Sequence, residues 1–149
     1  MPVNTTPVFV LTANRGTDGA GSFGTRLTTA NATRDLSTTT NGGLILSAGT
    51  NGSRIEAVTF THSAASQTQA SIAAVGRVFI CTSSAGANGR ILAEVALPAI
   101  TPSASAVGQQ QSITFSPPLF IPTGSYLWAT ISATQTSGAY DVTVQGGDY

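Results

Sequence analysis

The chain has 149 residues, the usual size of one domain and enough to bury a core without disulfide or metal staples. Only 8% of them are charged, against roughly 25% in ordinary soluble proteins. Six basic residues cancel six acidic ones, which leaves no net field to draw in nucleic acid or an anionic membrane. Every basic residue is an arginine, the cation best suited to desolvated contacts, and a near-neutral surface fits a protein largely covered by partners. The single cysteine, Cys81, rules out an internal disulfide. The opening Met1-Pro2-Val3-Asn4 has no basic or apolar leader, so no export is expected, and no apolar run approaches the roughly 20 residues needed to cross a bilayer.

Along the chain, a short β-like run at Val8-Phe9-Val10-Leu11 precedes a Thr-, Asn-, Gly- and Ala-rich stretch from Thr12 to Gly43 without clear periodicity. Unpatterned segments of that length are unusual inside a compact domain, so residues 1–43 read as an extended N-terminal arm and residues 44–149 as the folded unit. From Leu44 onward, short β-branched and aromatic runs alternate with turn signals. Leu44–Leu46 leads to the Asn51-Gly52 turn. In Arg54–Thr61, Val58 and Phe60 share a face with Glu56 at the rim. Ala74–Thr82 carries apolar residues on both faces and reads as a strand inside a sheet, one face partly covered. Arg90–Leu97 sets Ile91, Ala93, Val95 and Leu97 against Arg90, Glu94 and Ala96 before Pro98. Gln110–Phe115 is followed by Pro117-Pro118, Leu119-Phe120-Ile121 and a Pro122-Thr123-Gly124 turn. Tyr126–Ala133 alternates Leu127, Ala129 and Ile131 against Tyr126, Trp128 and Thr130, and Ala139–Gln145 turns Tyr140, Val142 and Val144 inward. About eight antiparallel strands with no helical crossover predict an all-β, jelly-roll-like sandwich.

No motif carries reaction chemistry. Gly19-Ala20-Gly21-Ser22-Phe23-Gly24 spells a dinucleotide fingerprint, but Thr25–Thr29 shows no helical period to hold a pyrophosphate, so the segment reads as a glycine-rich loop. His62 and Cys81 would need a third group and mutual contact to act as a nucleophilic pair; a buried apolar thiol and a strand-end histidine are the simpler reading. The carboxylates Asp18, Asp35, Glu56, Glu94, Asp141 and Asp148 are dispersed and form no metal loop. Tyr126 and Trp128 share a strand face, which suits core packing better than a sugar platform. The expectation is a protein that is not an enzyme and takes no cofactor or metal.

Several blocks resemble the capsid decoration, or cement, proteins of tailed bacteriophages: Pro2–Phe9, Gly49–Ile55, Arg77–Ile80, Ile121–Tyr126 and the closing Val142–Tyr149. The resemblance implies a structural virion protein on the outer capsid surface, with the host cytoplasm as its location during assembly. It would bridge major capsid protein subunits and form a homo-oligomer, dimer or trimer, with no nucleic-acid or membrane partner. Val8, Phe9, Arg15, Phe23, Arg26, Arg34 and Tyr149 are the residues expected to touch partners. The alternative is a carbohydrate- or receptor-binding jelly-roll module of a fibre or neck.

Overall fold

A computed structural model of the chain describes residues 12–14, 25–36, 41–64, 66, 69–103 and 108–149. They form nine strands and no helix: β1 (Thr12–Asn14), β2 (Thr25–Leu27), β3 (Gly43–Ser47), β4 (Ser53–Ser63), β5 (Ala74–Cys81), β6 (Arg90–Leu97), β7 (Gln110–Ile121), β8 (Tyr126–Ile131) and β9 (Ala139–Asp148). One sheet runs β7-β4-β9, with β1 and β2 sharing the far edge of β9; the other runs β3-β8-β5-β6. All pairs are antiparallel. The pairs nest: β5 with β6, β4 with β7, β3 with β8 and β2 with β9, as if one long hairpin were folded double. This all-β sandwich matches the expected fold class, and the nesting is consistent with a jelly roll.

The core lies between the sheets. Ile55, Val58 and Phe60 of β4 and Tyr140, Val142 and Val144 of β9 meet Val78 of β5 and Leu127, Ala129 and Ile131 of β8, all essentially without solvent exposure. Burying each such side chain contributes about 1.5–3 kcal/mol. The Phe60 ring lies directly on Gly76 of the facing sheet, where a methyl group would fall 2.9 Å from the ring.

Simple alternation fails at three bulges, and each moves side chains between faces. Glu56 is an extra residue between Ile55 and Ala57, so Ile55 and Val58 both point inward despite opposite parity, and Glu56 leaves the rim place expected beside Val58. Ile45 intervenes between Leu44 and Leu46, and both Ile45 and Leu46 are buried. Leu92 is the extra residue of β6, opposite the Val78–Phe79 step. It packs at the margin of the main core while Ile91 turns to the other face, which corrects the single alternation expected for this strand. Gln110–Ile121 is one strand in which three extra residues around Pro117-Pro118 interrupt the ladder, because proline cannot donate to it.

The boundary expected after residue 43 also shifts. Residues 25–36 belong to the sandwich: β2 pairs with β9, Leu27 enters the main core, and the following segment lies as a strap over the outer face of the β5–β8 sheet. Its backbone is stitched down by Asn31 N–H to Ile131 O (2.8 Å) and Gln135 N–H to Thr28 O (2.8 Å). Leu36 packs on Phe79 and Cys81, with Ile91, Tyr126 and Trp128 around them. That strap covers the second apolar face of β5. It offered no periodicity because its contacts are long-range.

Candidate interaction surface

Three regions of the sandwich bear on function. The first is the outer face of the β7-β4-β9 sheet. Register sets Ser112, Thr59 and Thr143 in one cross-strand row, Gln110, Thr61, Asp141 and Arg26 in a second, and Thr114, Ala57 and Gln145 in a third. The Thr59 and Ser112 hydroxyls are 2.8 Å apart, and Gln110 Nε2 donates to Thr61 Oγ1 at 3.4 Å. The middle of this face is a pleated surface of short neutral side chains, with charge at its two ends, Arg26 and Asp141 at one and Arg54 and Glu56 at the other.

At the opposite end of this sheet lies an aromatic ledge. Phe120 is 55% exposed, and its ring sits 6.1 Å from that of Tyr149, tilted by 34°. Leu119 and Ile121 pack toward the core, so the residue between them must face out. Rigid backbone holds the pair. Tyr149 N–H donates to Gly52 O (3.1 Å) and Asn51 Nδ2 donates to Tyr149 O (3.3 Å). Gly52 has a φ of 92°, and a methyl group there would fall 2.6 Å from Phe120 Cζ, so the turn needs glycine for both conformation and room. Arg54 stands opposite Phe120 in the β4–β7 ladder and pairs with Glu56 at 3.4 Å, both side chains nearly half exposed. Ser53 Oγ donates to Asp148 Oδ1 and accepts from Gly49 N–H, which fixes the neighbouring turn. An exposed phenylalanine with a half-buried tyrosine ring and an arginine nearby is the composition of a binding hot spot.

The second region is the strap. Arg77 is 8% exposed; its Nε donates to Glu94 Oε1 (2.9 Å) and its Nη1 to the carbonyls of Asn31 (3.0 Å) and Thr33 (3.3 Å). Arg34 closes the set on Glu94 Oε2. Beneath the strap, Trp128 is half-buried, and a methyl group at Gly86 would fall 3.1 Å from its indole. Tyr126 and Trp128 are therefore packing residues.

The third is a buried polar group at one end of β4. His62 lies edge-on to Tyr140, ring centroids 5.6 Å apart, and Tyr140 Oη donates to Gln109 Oε1 at 2.7 Å. His62 Nε2, Ser63 Oγ and Gln109 Nε2 are buried without a hydrogen-bond partner. Burial holds the His62 imidazole below its ordinary pKa, against an opposing pull from Asp141. Cys81 lies in the other sheet, within the strap cluster, and burial pushes its thiol up to about 11. A nucleophile needs the reverse shift, so the pair lacks both contact and activation.

Of the residues expected to touch partners, Val8, Phe9, Arg15 and Phe23 lie outside the described residues. Arg26 is exposed on β2 and lines a shallow cleft of about 180 Å³ with Thr28, Thr29 and Asn41. Arg34 is 68% exposed and bound to Glu94, and Tyr149 belongs to the ledge. Sequence reasoning missed Phe120 and Arg54. The signal for Phe120 was present, since alternation through Leu119-Phe120-Ile121 leaves the central ring outside. Among the described residues no group of three His, Cys, Asp or Glu side chains could hold a metal ion. No protein family, curated protein or solved structure matches the chain.

Proposed function

We propose that this chain is a structural adhesion module, and specifically a decoration protein that binds the outer surface of a tailed-phage capsid and bridges major capsid protein subunits. The observation that carries the reading is the ledge of exposed Phe120 with the Tyr149 ring beside it and Arg54 opposite Phe120 in the β4–β7 ladder, next to a run of short neutral side chains. Such a neutral run docks with little desolvation of charge, and many modest contacts repeated over a lattice add up through avidity. The virion surface is then its place of action, with the host cytoplasm its location during assembly. The alternative of a carbohydrate- or receptor-binding fibre or neck module rests on Tyr126 and Trp128, and the packing of both against the Leu36, Phe79 and Cys81 cluster supports the capsid reading over it.

Co-sedimentation with assembled phage heads built from a major capsid protein of the same genome tests the reading. The double variant Phe120→Ala/Tyr149→Ala should bind at least about tenfold more weakly per site while keeping its fold, as expected for hot-spot aromatics. Full retention of binding by that variant, or failure of the unaltered protein to bind heads, refutes it.

A further inference from the structure

We infer that the Asn88-Gly89 turn is a site of spontaneous covalent modification, at which Asn88 converts through a cyclic imide to aspartate and isoaspartate, and that the isoaspartate product loosens the strap. The chain holds three Asn-Gly pairs, at 41–42, 51–52 and 88–89, and in each the glycine leaves its amide nitrogen unshielded beside the asparagine carboxamide. The structure separates the three. Asn41 Nδ2 donates to Ala30 O (2.9 Å). Asn51 Nδ2 donates to Tyr149 O (3.3 Å), and the neighbouring nitrogen is occupied too, since Gly52 N–H donates to Gly49 O (2.9 Å). Asn88 lies exposed on the turn between β5 and β6, with a φ of 58°.

Both members of this pair are fixed by the fold. Asparagine enters the left-handed region more readily than most residues that carry a side chain, which suits it to position 88. At position 89 a methyl group would fall 2.5 Å from Leu36 Cδ1 and 2.9 Å from Cys81 Sγ, so the place calls for glycine. The chemistry comes with the pairing. The Gly89 amide nitrogen gives up its proton and attacks Asn88 Cγ; the new C–N bond forms as the bond from Cγ to Nδ2 breaks, and the side-chain nitrogen leaves as ammonia, carrying the proton. Water then opens the imide at either carbonyl. Addition at Cγ yields aspartate, and addition at the main-chain carbonyl yields isoaspartate, in which the chain runs through Cγ. Each product adds a negative charge to the hairpin, but only isoaspartate lengthens the backbone by a methylene. That extra length falls next to Gly89, which sits against Leu36 and Cys81, and it pushes the strap off its seat.

This inference is independent of the capsid reading and is tested on the full chain alone. During incubation for days in a mildly alkaline buffer, peptide mapping with isoaspartate-specific methylation should find position 88 converting at least several-fold faster than 41 or 51. In urea, where only the local sequence acts, the three rates should converge. Equal or reversed rates in the folded protein, or an order that persists in urea, would overturn the assignment of the site. Cys81 reports on the strap. The folded isoaspartate form should react with a thiol reagent several-fold faster than the fresh protein, whereas Asn88→Asp, which carries the charge on an ordinary backbone, should react as slowly as the parent. An isoaspartate form no more reactive than the parent, or an Asn88→Asp protein as reactive as the isoaspartate form, would overturn the loosening by added backbone length.

Discussion

Replacing Arg77 by methionine should cost about 3 kcal/mol, whereas the same change at Arg34 should cost no more than about 0.5 kcal/mol. Both arginines grip Glu94, so a count of ion pairs would rank them alike. Their surroundings differ. Arg77 is buried and makes three charge-assisted bonds, one of them to the enclosed Asn31 carbonyl, which has no water to turn to once it is gone. Each such bond is worth about 1.5–3 kcal/mol when fully enclosed. Glu94 is 28% exposed and the Thr33 bond only part-buried, so those two together contribute no more than about 1.5 kcal/mol, and with about 1.5 kcal/mol from the enclosed Asn31 bond the sum stays near 3 kcal/mol. Methionine retains the packing of the aliphatic stem, so the loss reports the guanidinium. Arg34 is 68% exposed, and water replaces it. Urea unfolding of the two variants at equal ionic strength gives the comparison, and hydrogen exchange of residues 28–36 shows whether the strap loosens first in Arg77→Met. Equal losses for the two variants, or an Arg77→Met protein within about 0.5 kcal/mol of the parent, would refute the assignment of the strap's anchorage to Arg77.

Three further outcomes are expected. His62 has a folded pKa below its unfolded value, so the unfolded chain binds more protons as acidity rises; stability should be complete above about pH 6.5 and fall below it, and His62→Gln should flatten that slope in urea midpoints measured from pH 7.5 down to about pH 5. Cys81 should resist thiol reagents at mildly alkaline pH in the folded protein and react at once in urea, since its buried thiol titrates only near 11. Gly52→Ala should lower stability by about 1–3 kcal/mol, and by more than Gly124→Ala, because both have positive φ but only residue 52 has Phe120 and Ile121 O in the way. A smaller loss at 52 would contradict the tight turn under the ledge.

Much of the sandwich was legible because two of its central strands, β8 and β9, follow period-two patterning without interruption. In β8 and β9 every residue expected inward is buried, since neither carries an extra residue. Patterning failed where one residue was inserted, at Ile45, Glu56 and Leu92, because a bulge reverses faces with no compositional mark of its own. It failed for β2 and the strap for a different reason. Thr25-Arg26-Leu27 is too short for alternation to register, and Leu36 is held by side chains from β5, β6 and β8 that no local window contains. The two-faced apolar character of Ala74–Cys81 did announce that something must lie over it, and the strap is that cover. The ledge was half visible: Tyr149 was singled out, while Phe120 was hidden in an apolar run whose parity points its ring outward.

The nested pairing also dictates how the chain must assemble. Ala74 to Leu97 is the shortest span that any of these ladders closes, and each pair outside it encloses all the pairs within, out to Thr25 with Val142. Chain entropy makes the innermost hairpin the cheapest to close and the outer ladders progressively dearer. β9 lies between β4 and the β1–β2 edge, so the inner side of β4 stays open until residues 139–148 have been made. During synthesis the ribosome therefore carries a half-built sheet with a bare apolar surface, and chaperone capture or aggregation competes with folding until that strand slots in.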